Sequence, residues 1–281
     1  MLTRDLLKKI RKIEIFTNRL VNNQLAGQYQ SVFKGRGMAF SEVRQYTPGD
    51  DVRAIDWRAT ARRAEVVVRT WRPERDRRVL LVLDVSRLSA ARLGDAPRLE
   101  AQLEAALLLA ALASRAGDRV ELVAVDRGVR AKVAGAGGAA LLSTMARAMA
   151  PLTPALVELS WPVVTQVIRD RLAHRSLVVL LTALEPAAVV NGLLPVAASL
   201  AHDHQVVLAS AADPALAALR RARGSSAEVF AAAAAERASL ERAGAAGSLR
   251  RRGVEVVDAA PDDLAPALAD AYLALKAAGR L

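Results

Sequence analysis

The stretch VELVAVDRGVRAKV, residues 120–133, holds two apolar, β-branched runs separated only by Asp126-Arg127-Gly128. Three residues close an antiparallel hairpin, whereas a parallel return needs a crossover of about a dozen or more. The second run, VRAKV (129–133), therefore belongs at a sheet edge beside VELVAV (120–125). Outward from this hairpin the pattern changes. VLLVLD (79–84), LVVLLT (177–182), QVVLAS (205–210) and VEVV (254–257) are short aliphatic runs without central charges, as strands buried on both faces are. Helical stretches over 98–117, 162–175, 193–204 and 226–244 lie between them. Strands alternating with helices give a doubly wound, mostly parallel α/β sheet, here with one antiparallel edge strand.

The chain has 281 residues, 53% of them hydrophobic and only 4% aromatic, so the core between those layers must be built from Ala, Leu and Val. There is no cysteine, which excludes disulfides, thiolate metal sites and cysteine nucleophiles. No run approaches the roughly 18 uncharged residues of a membrane span, and MLTRDLLKKIRKIEIF lacks the apolar core of a signal peptide. The expected setting is cytoplasmic. Leu2, Leu6, Ile10, Ile13, Phe16 and Leu20 recur at helical spacing with Lys8, Lys9, Arg11 and Lys12 on other faces. Such a helix suits docking on the domain, and a membrane surface is a second, non-integral option.

The net charge is +11, and its excess lies early: through Arg78, 18 Lys and Arg face 9 Asp and Glu. A basic surface suits acidic protein, lipid headgroups or nucleic acid, but the aromatic and glycine patterning of nucleic-acid modules is missing, so nucleic acid is not the expected partner. These features divide the chain into a basic segment over 1–77, holding that helix and a small β element at EVVVRTW (65–71), and the α/β domain over 78–281.

Ligands meet an open parallel sheet beyond the carboxyl ends of its strands, where strand order reverses. VLLVLD ends there with Asp84, and Ser86 follows. Their oxygens suit a hard cation such as Mg²⁺, but the same residues also cap turns after strands. His202 and His204 stand two apart where a helix runs out, which reads as a solvated helix end. Gly135-Ala136-Gly137-Gly138 lacks a phosphate-loop lysine and reads as a turn. No glycine-flanked nucleophile elbow is present. In YTPGDDVRAIDWRATARR (46–63), Asp50, Asp51 and Asp56 beside Arg53, Arg58, Arg62 and Arg63 have the composition of a structural carboxylate–guanidinium lattice.

The run from Gly35 to Ser86 resembles the signature of the bacterial family called domain of unknown function 58. Matching positions include Gly35, Gly37, Phe40, Arg44, Tyr46, Gly49, Asp50, Asp51, Arg53, Asp56, Trp57, Thr60, Arg62, Glu74 and Asp84-Val85-Ser86. The resemblance implies a von Willebrand factor A-like core and a non-enzymatic adaptor linking a MoxR-type AAA+ ATPase to client proteins. It also implies a short form without the membrane helices that many members carry. A-type domains build their metal site from D-x-S-x-S, a threonine from a later loop and an aspartate after the fourth core strand. Here Leu88 replaces the second serine, Thr153 is the only threonine on offer in the later loop, and Ala183 stands at the aspartate position. The site is therefore expected to be degenerate, with Mg²⁺ weak or absent and no other cofactor. Arg87, between hydroxyl residues on the rim, is the expected partner contact. The competing expectation is a metal-dependent hydrolase or nuclease using Asp84 and the basic segment.

Overall fold

The computed structural model describes residues 40–47, 55–63, 65–71, 77–135 and 138–281. The chain falls into two compact units, the smaller spanning Phe33–Asp76 and the larger including Arg77–Leu281. The expected helix over residues 2–20, together with Gly49, Asp50, Asp51 and Arg53, lies outside the described residues.

In the smaller unit, β1 (Phe40–Gln45) pairs antiparallel with β2 (Val67–Trp71), and α1 (Trp57–Arg63) lies between them in sequence. Arg44 and Tyr46 fall in and just after β1. Asp56 starts α1: its Oδ1 accepts from the Arg58 and Ala59 amides at 3.1 and 3.0 Å, satisfying two donors that a helix start leaves open. Its own amide donates to the Val67 carbonyl at 2.9 Å, and the Thr60 hydroxyl accepts from the Val67 amide at 3.1 Å. These bonds tie the helix start to β2, whose Val67 and Val68 are buried. Asp56 thus caps α1 through backbone amides. Trp57 and Arg62 are exposed on α1.

The larger unit begins with β3 (Arg78–Asp84), a single turn of 3-10 helix (Arg87–Ala90), and the short pair β4 (Arg92–Leu93) and β5 (Ala96–Pro97). Next come α2 (Arg98–Arg115), β6 (Arg119–Val125), β7 (Val129–Val133), α3 (Ala139–Met149), α4 (Trp161–Arg171) and β8 (Leu177–Leu181). After β8 the chain passes through Pro186–Ala188 and a π-helical turn, Val189–Leu193, into α5 (Leu194–Asp203). It ends with β9 (Gln205–Ala211), α6 (Pro214–Leu219), α7 (Ser226–Arg250), β10 (Val254–Ala259) and α8 (Pro261–Ala277).

The six main strands lie in the order β10-β9-β8-β3-β6-β7, all parallel except β7, which runs against β6. This is the doubly wound, A-like sheet with one antiparallel edge strand expected from residues 120–133. Leu80 and Val82 of β3 face Val164, Ile168 and Leu193 in one apolar cluster, while α2 and α8 pack together. α2 is apolar nearly all round, from Leu99 to Ala113, as a helix enclosed between other elements must be. From β3 the chain builds β6 and β7 on one side, then crosses back to place β8 on the other. The reversal leaves its crevice at the carboxyl ends of β3 and β8.

Three helices of this unit, α3, α6 and α8, were not expected from the sequence. α8 holds an internal proline, Pro266, which removes one ladder donor, yet burial of Leu264, Leu268, Tyr272 and Leu275 outweighs it. The HDH segment is also corrected. His202 is exposed, but His204 closes α5 with its amide on the Leu200 carbonyl at 2.9 Å and is itself buried, and that burial lowers its pKa.

Candidate functional site

The carboxyl end of β3 delivers Asp84 into the crevice, 1% exposed. Its Oδ1 accepts from the Ser86 amide at 2.8 Å, turning the chain immediately, and the Ser86 hydroxyl accepts from the Leu88 amide at 3.4 Å at the start of the 3-10 turn. Ser89 donates its one hydroxyl proton to the Asp84 carbonyl at 2.6 Å. Gln102 Oε1 lies 2.9 Å from the same hydroxyl, a second acceptor for its single proton. Asp84 and Ser86 thus build a turn, the plainer of their two readings.

The other carboxylate oxygen is taken across the crevice. Leu83 pairs with Leu181, so the next residues, Asp84 and Thr182, leave adjacent strands side by side. The Thr182 hydroxyl donates to Asp84 Oδ2 at 2.5 Å. Burial pushes the Asp84 carboxyl above its ordinary range, against the opposing pull of the Ser86 and Thr182 hydrogen bonds and of Arg98. Thr182 went unnoticed in the sequence, where LVVLLT read only as a strand. Counting one residue past each of two neighbouring parallel strands would have found it.

Arg98 begins α2 and is buried beside this carboxylate. Its Nη1 donates to the Leu88 carbonyl at 2.6 Å and its Nε to the Ala211 carbonyl at 3.3 Å, joining the loop after β3 to the end of β9. Burial and then Arg242 lower its pKa, opposed by Glu185, Asp213 and Asp84. Arg242 on α7 grips Asp258 through Nε at 2.7 Å and Nη2 at 2.6 Å, and Nη2 also donates to Ser210 Oγ at 2.9 Å. The ends of β8, β9 and β10 are thereby cross-linked by fixed cations of the chain itself.

The ion implied by the A-type resemblance does not fit this donor set. Mg²⁺ requires about six oxygen ligands in near-octahedral geometry. Asp84 already accepts from protein donors on both carboxylate oxygens, Leu88 and Ala183 bring no side-chain oxygen, and Thr153 is exposed on a separate loop. Among the described residues no cluster of three or more His, Asp or Glu forms a cation site.

Around the closed centre the rim is open. The Ala155 amide donates to the Val85 carbonyl at 2.8 Å and the Arg87 amide to the Val157 carbonyl at 2.9 Å. The loops after β3 and α3 therefore run side by side, with Leu156 84% exposed between those bonds. Arg87 pairs through Nε with Glu158 Oε1 at 2.7 Å, both side chains more than half exposed. Val190 is 54% exposed on the π-helical turn. In that turn the Trp161 indole lies so close to Gly192 that an added Cβ would stand 2.1 Å from Nε1. Trp161, Leu159 and Val164 wall a small recess whose floor is Val82 and Leu180 and whose end is Asp84 and Thr182.

The family model described as "Protein of unknown function DUF58" matches residues 42–257, from β1 into β10. The chain belongs to the DUF58 family. The DUF58 match spans the small β1–β2 unit as well as the sheet, so signature and crevice are parts of one family pattern. The chain is similar to "Uncharacterized protein Rv1480" of Mycobacterium tuberculosis and to "Uncharacterized protein Mb1516" of Mycobacterium bovis, at 27% identity over 207 residues in each case. The alignment covers 73% of this DUF58 chain and 64% of each relative, so the chain spans less than two-thirds of the length of the curated relatives it matches. Among the described residues no helix is long and apolar enough to cross a membrane.

Proposed function

We propose that this protein is a non-catalytic adaptor that binds a MoxR-type AAA+ ATPase and presents client proteins to it for remodelling or complex maturation. The observation that carries the reading is the state of Asp84. It stands where A-type domains place their metal-binding aspartate, yet both of its oxygens accept from Ser86 and Thr182 of the same chain. Two of its acceptor positions are thereby committed to the fold, which favours a structural role over general acid–base work, and His174, His202 and His204 come from other elements. What remains presented is rim surface: Leu156 and Val190 as apolar contacts, with Arg87 and Glu158 as charged ones. Exposed apolar residues ringed by charge are the composition of a protein contact.

Arg87 is the contact we assign to a partner carboxylate. Its present partner, Glu158, forms an exposed pair worth about 0–1 kcal/mol, which a bidentate carboxylate can displace. The test is co-purification of the MoxR-type ATPase encoded in the same genome by tagged wild-type protein, Arg87→Glu and Leu156→Asp, in one buffer. Recovery by wild type and loss in both variants, with melting temperatures within a few degrees, is expected. Equal recovery by all three removes the rim, and no recovery by any removes the ATPase partnership.

A further inference from the structure

The two edges of the main sheet end differently. At β10, Arg250 reaches from α7 and donates Nη2 to the Val256 carbonyl at 3.1 Å, so a side chain covers that edge. At β7 one side pairs with β6, and among the described residues no backbone group outside that ladder bonds to residues 129–133. Val129, Arg130 and Lys132 are exposed, Ala131 is half-buried and Val133 is buried. Among the described residues the strand therefore presents amides and carbonyls on its outer side that no other backbone pairs with.

We propose that the outer edge of β7 docks an extended, acidic segment of a partner protein, which adds a strand to the sheet. Backbone groups along an open edge supply a ladder for any extended chain, and side chains select which one. Here the selection is by charge. Arg130, which sits at an irregularity of the β6–β7 register, and Lys132 are both exposed, and Arg127 is exposed in the turn just before the strand. The nearby carboxylate, Asp126, is buried and already faces Arg130 at 3.3 Å. A second copy of this chain pairing along the same edge would bring Arg130 and Lys132 against their equals, and like charges across a ladder oppose pairing. The same cations attract a segment with Asp or Glu at alternate positions. Because β7 has five residues, the occupant is short and its binding salt-sensitive.

This inference rests on the reading of the chain as a protein-binding module but not on the identity of any ATPase, so its test uses a peptide alone. The probe is the fluorescein-labelled peptide Thr-Val-Glu-Val-Glu-Val-Thr, titrated by anisotropy at low salt, with amide hydrogen exchange read in parallel. The expected result is saturable binding, slowed exchange at alternate amides of residues 129–133, and loss of binding when one of the two alternate sets of peptide amides is N-methylated. Lys132→Glu combined with Arg130→Gln should weaken binding at least tenfold, with unchanged melting temperature. Absence of saturable binding, binding indifferent to both N-methylated peptides or to the charge changes, or protection away from β7 would each overturn the proposal. Failure here alongside successful ATPase co-purification leaves the adaptor reading standing, and the converse leaves the edge standing.

Discussion

At the scale of single residues, Asp84 and Thr182 set the character of the crevice. Thr182→Val keeps the shape and removes the donor to a buried carboxylate oxygen. It should cost about 1–3 kcal/mol, read from denaturant midpoints at neutral pH. Asp84 also gives the stability curve a definite slope. Its folded pKa is raised by burial above the ordinary 3.8, so between those two values the folded chain holds a proton that the unfolded chain has lost. The contribution of Asp84 is therefore full below 3.8 and is lost as pH rises through the folded value. Asp84→Asn keeps an acceptor for the Ser86 amide and turns an NH₂ toward Thr182, whose oxygen can accept. Denaturation of this variant across pH 3 to 8 should show a flatter curve than wild type above about pH 4, with no loss of stability at neutral pH. A variant that loses several kcal/mol at neutral pH would show instead that the negative charge itself is needed.

At the scale of elements, α8 is held by a buried trio far from the crevice. Lys276 Nζ lies 2.9 and 3.0 Å from the two oxygens of Asp118 and 3.0 Å from the Tyr272 hydroxyl, which in turn donates to Asp118 Oδ2 at 2.5 Å. Burial lowers the Lys276 pKa and, with Asp118 beside it, raises that of Tyr272. Lys276→Ala leaves Asp118 uncompensated and should cost about 3–5 kcal/mol in equilibrium unfolding, whereas Lys276→Met with Asp118→Asn should recover much of that loss. Nothing in PDDLAPALADAYLALKA announced this clamp, because its carboxylate comes from the turn before β6. Elements whose signal is local were legible: the three residues between β6 and β7 fixed an antiparallel pair, and β3, β8 and β9 came within two residues of their observed ends. α1 is not among the helices read from the sequence although Asp56 and the helix formers of WRATARR mark its start, since the alternating charges of the segment fit a side-chain lattice as well.

At the scale of the whole molecule, sheet order places Asp84, Thr182 and Arg98 at one crevice although 84 residues separate Arg98 from Thr182 in sequence. That Leu88 and Ala183 bring no side-chain oxygen is legible in the sequence, since it is a property of the residue alone. What fills the place was not visible: the Thr182 bond needs the β3–β8 register, and the Arg98 contacts need the end of β9. The central claim is that this A-type crevice is closed by the chain's own hydrogen bonds, leaving the rim and not a bound ion to meet partners. Thermal unfolding in millimolar MgCl₂ and in EDTA tests it most directly. The expected result is one melting temperature in both conditions for wild type. A rise of several degrees with magnesium, corresponding to about 1 kcal/mol or more of linked binding and abolished by Asp84→Asn, would contradict the closed crevice.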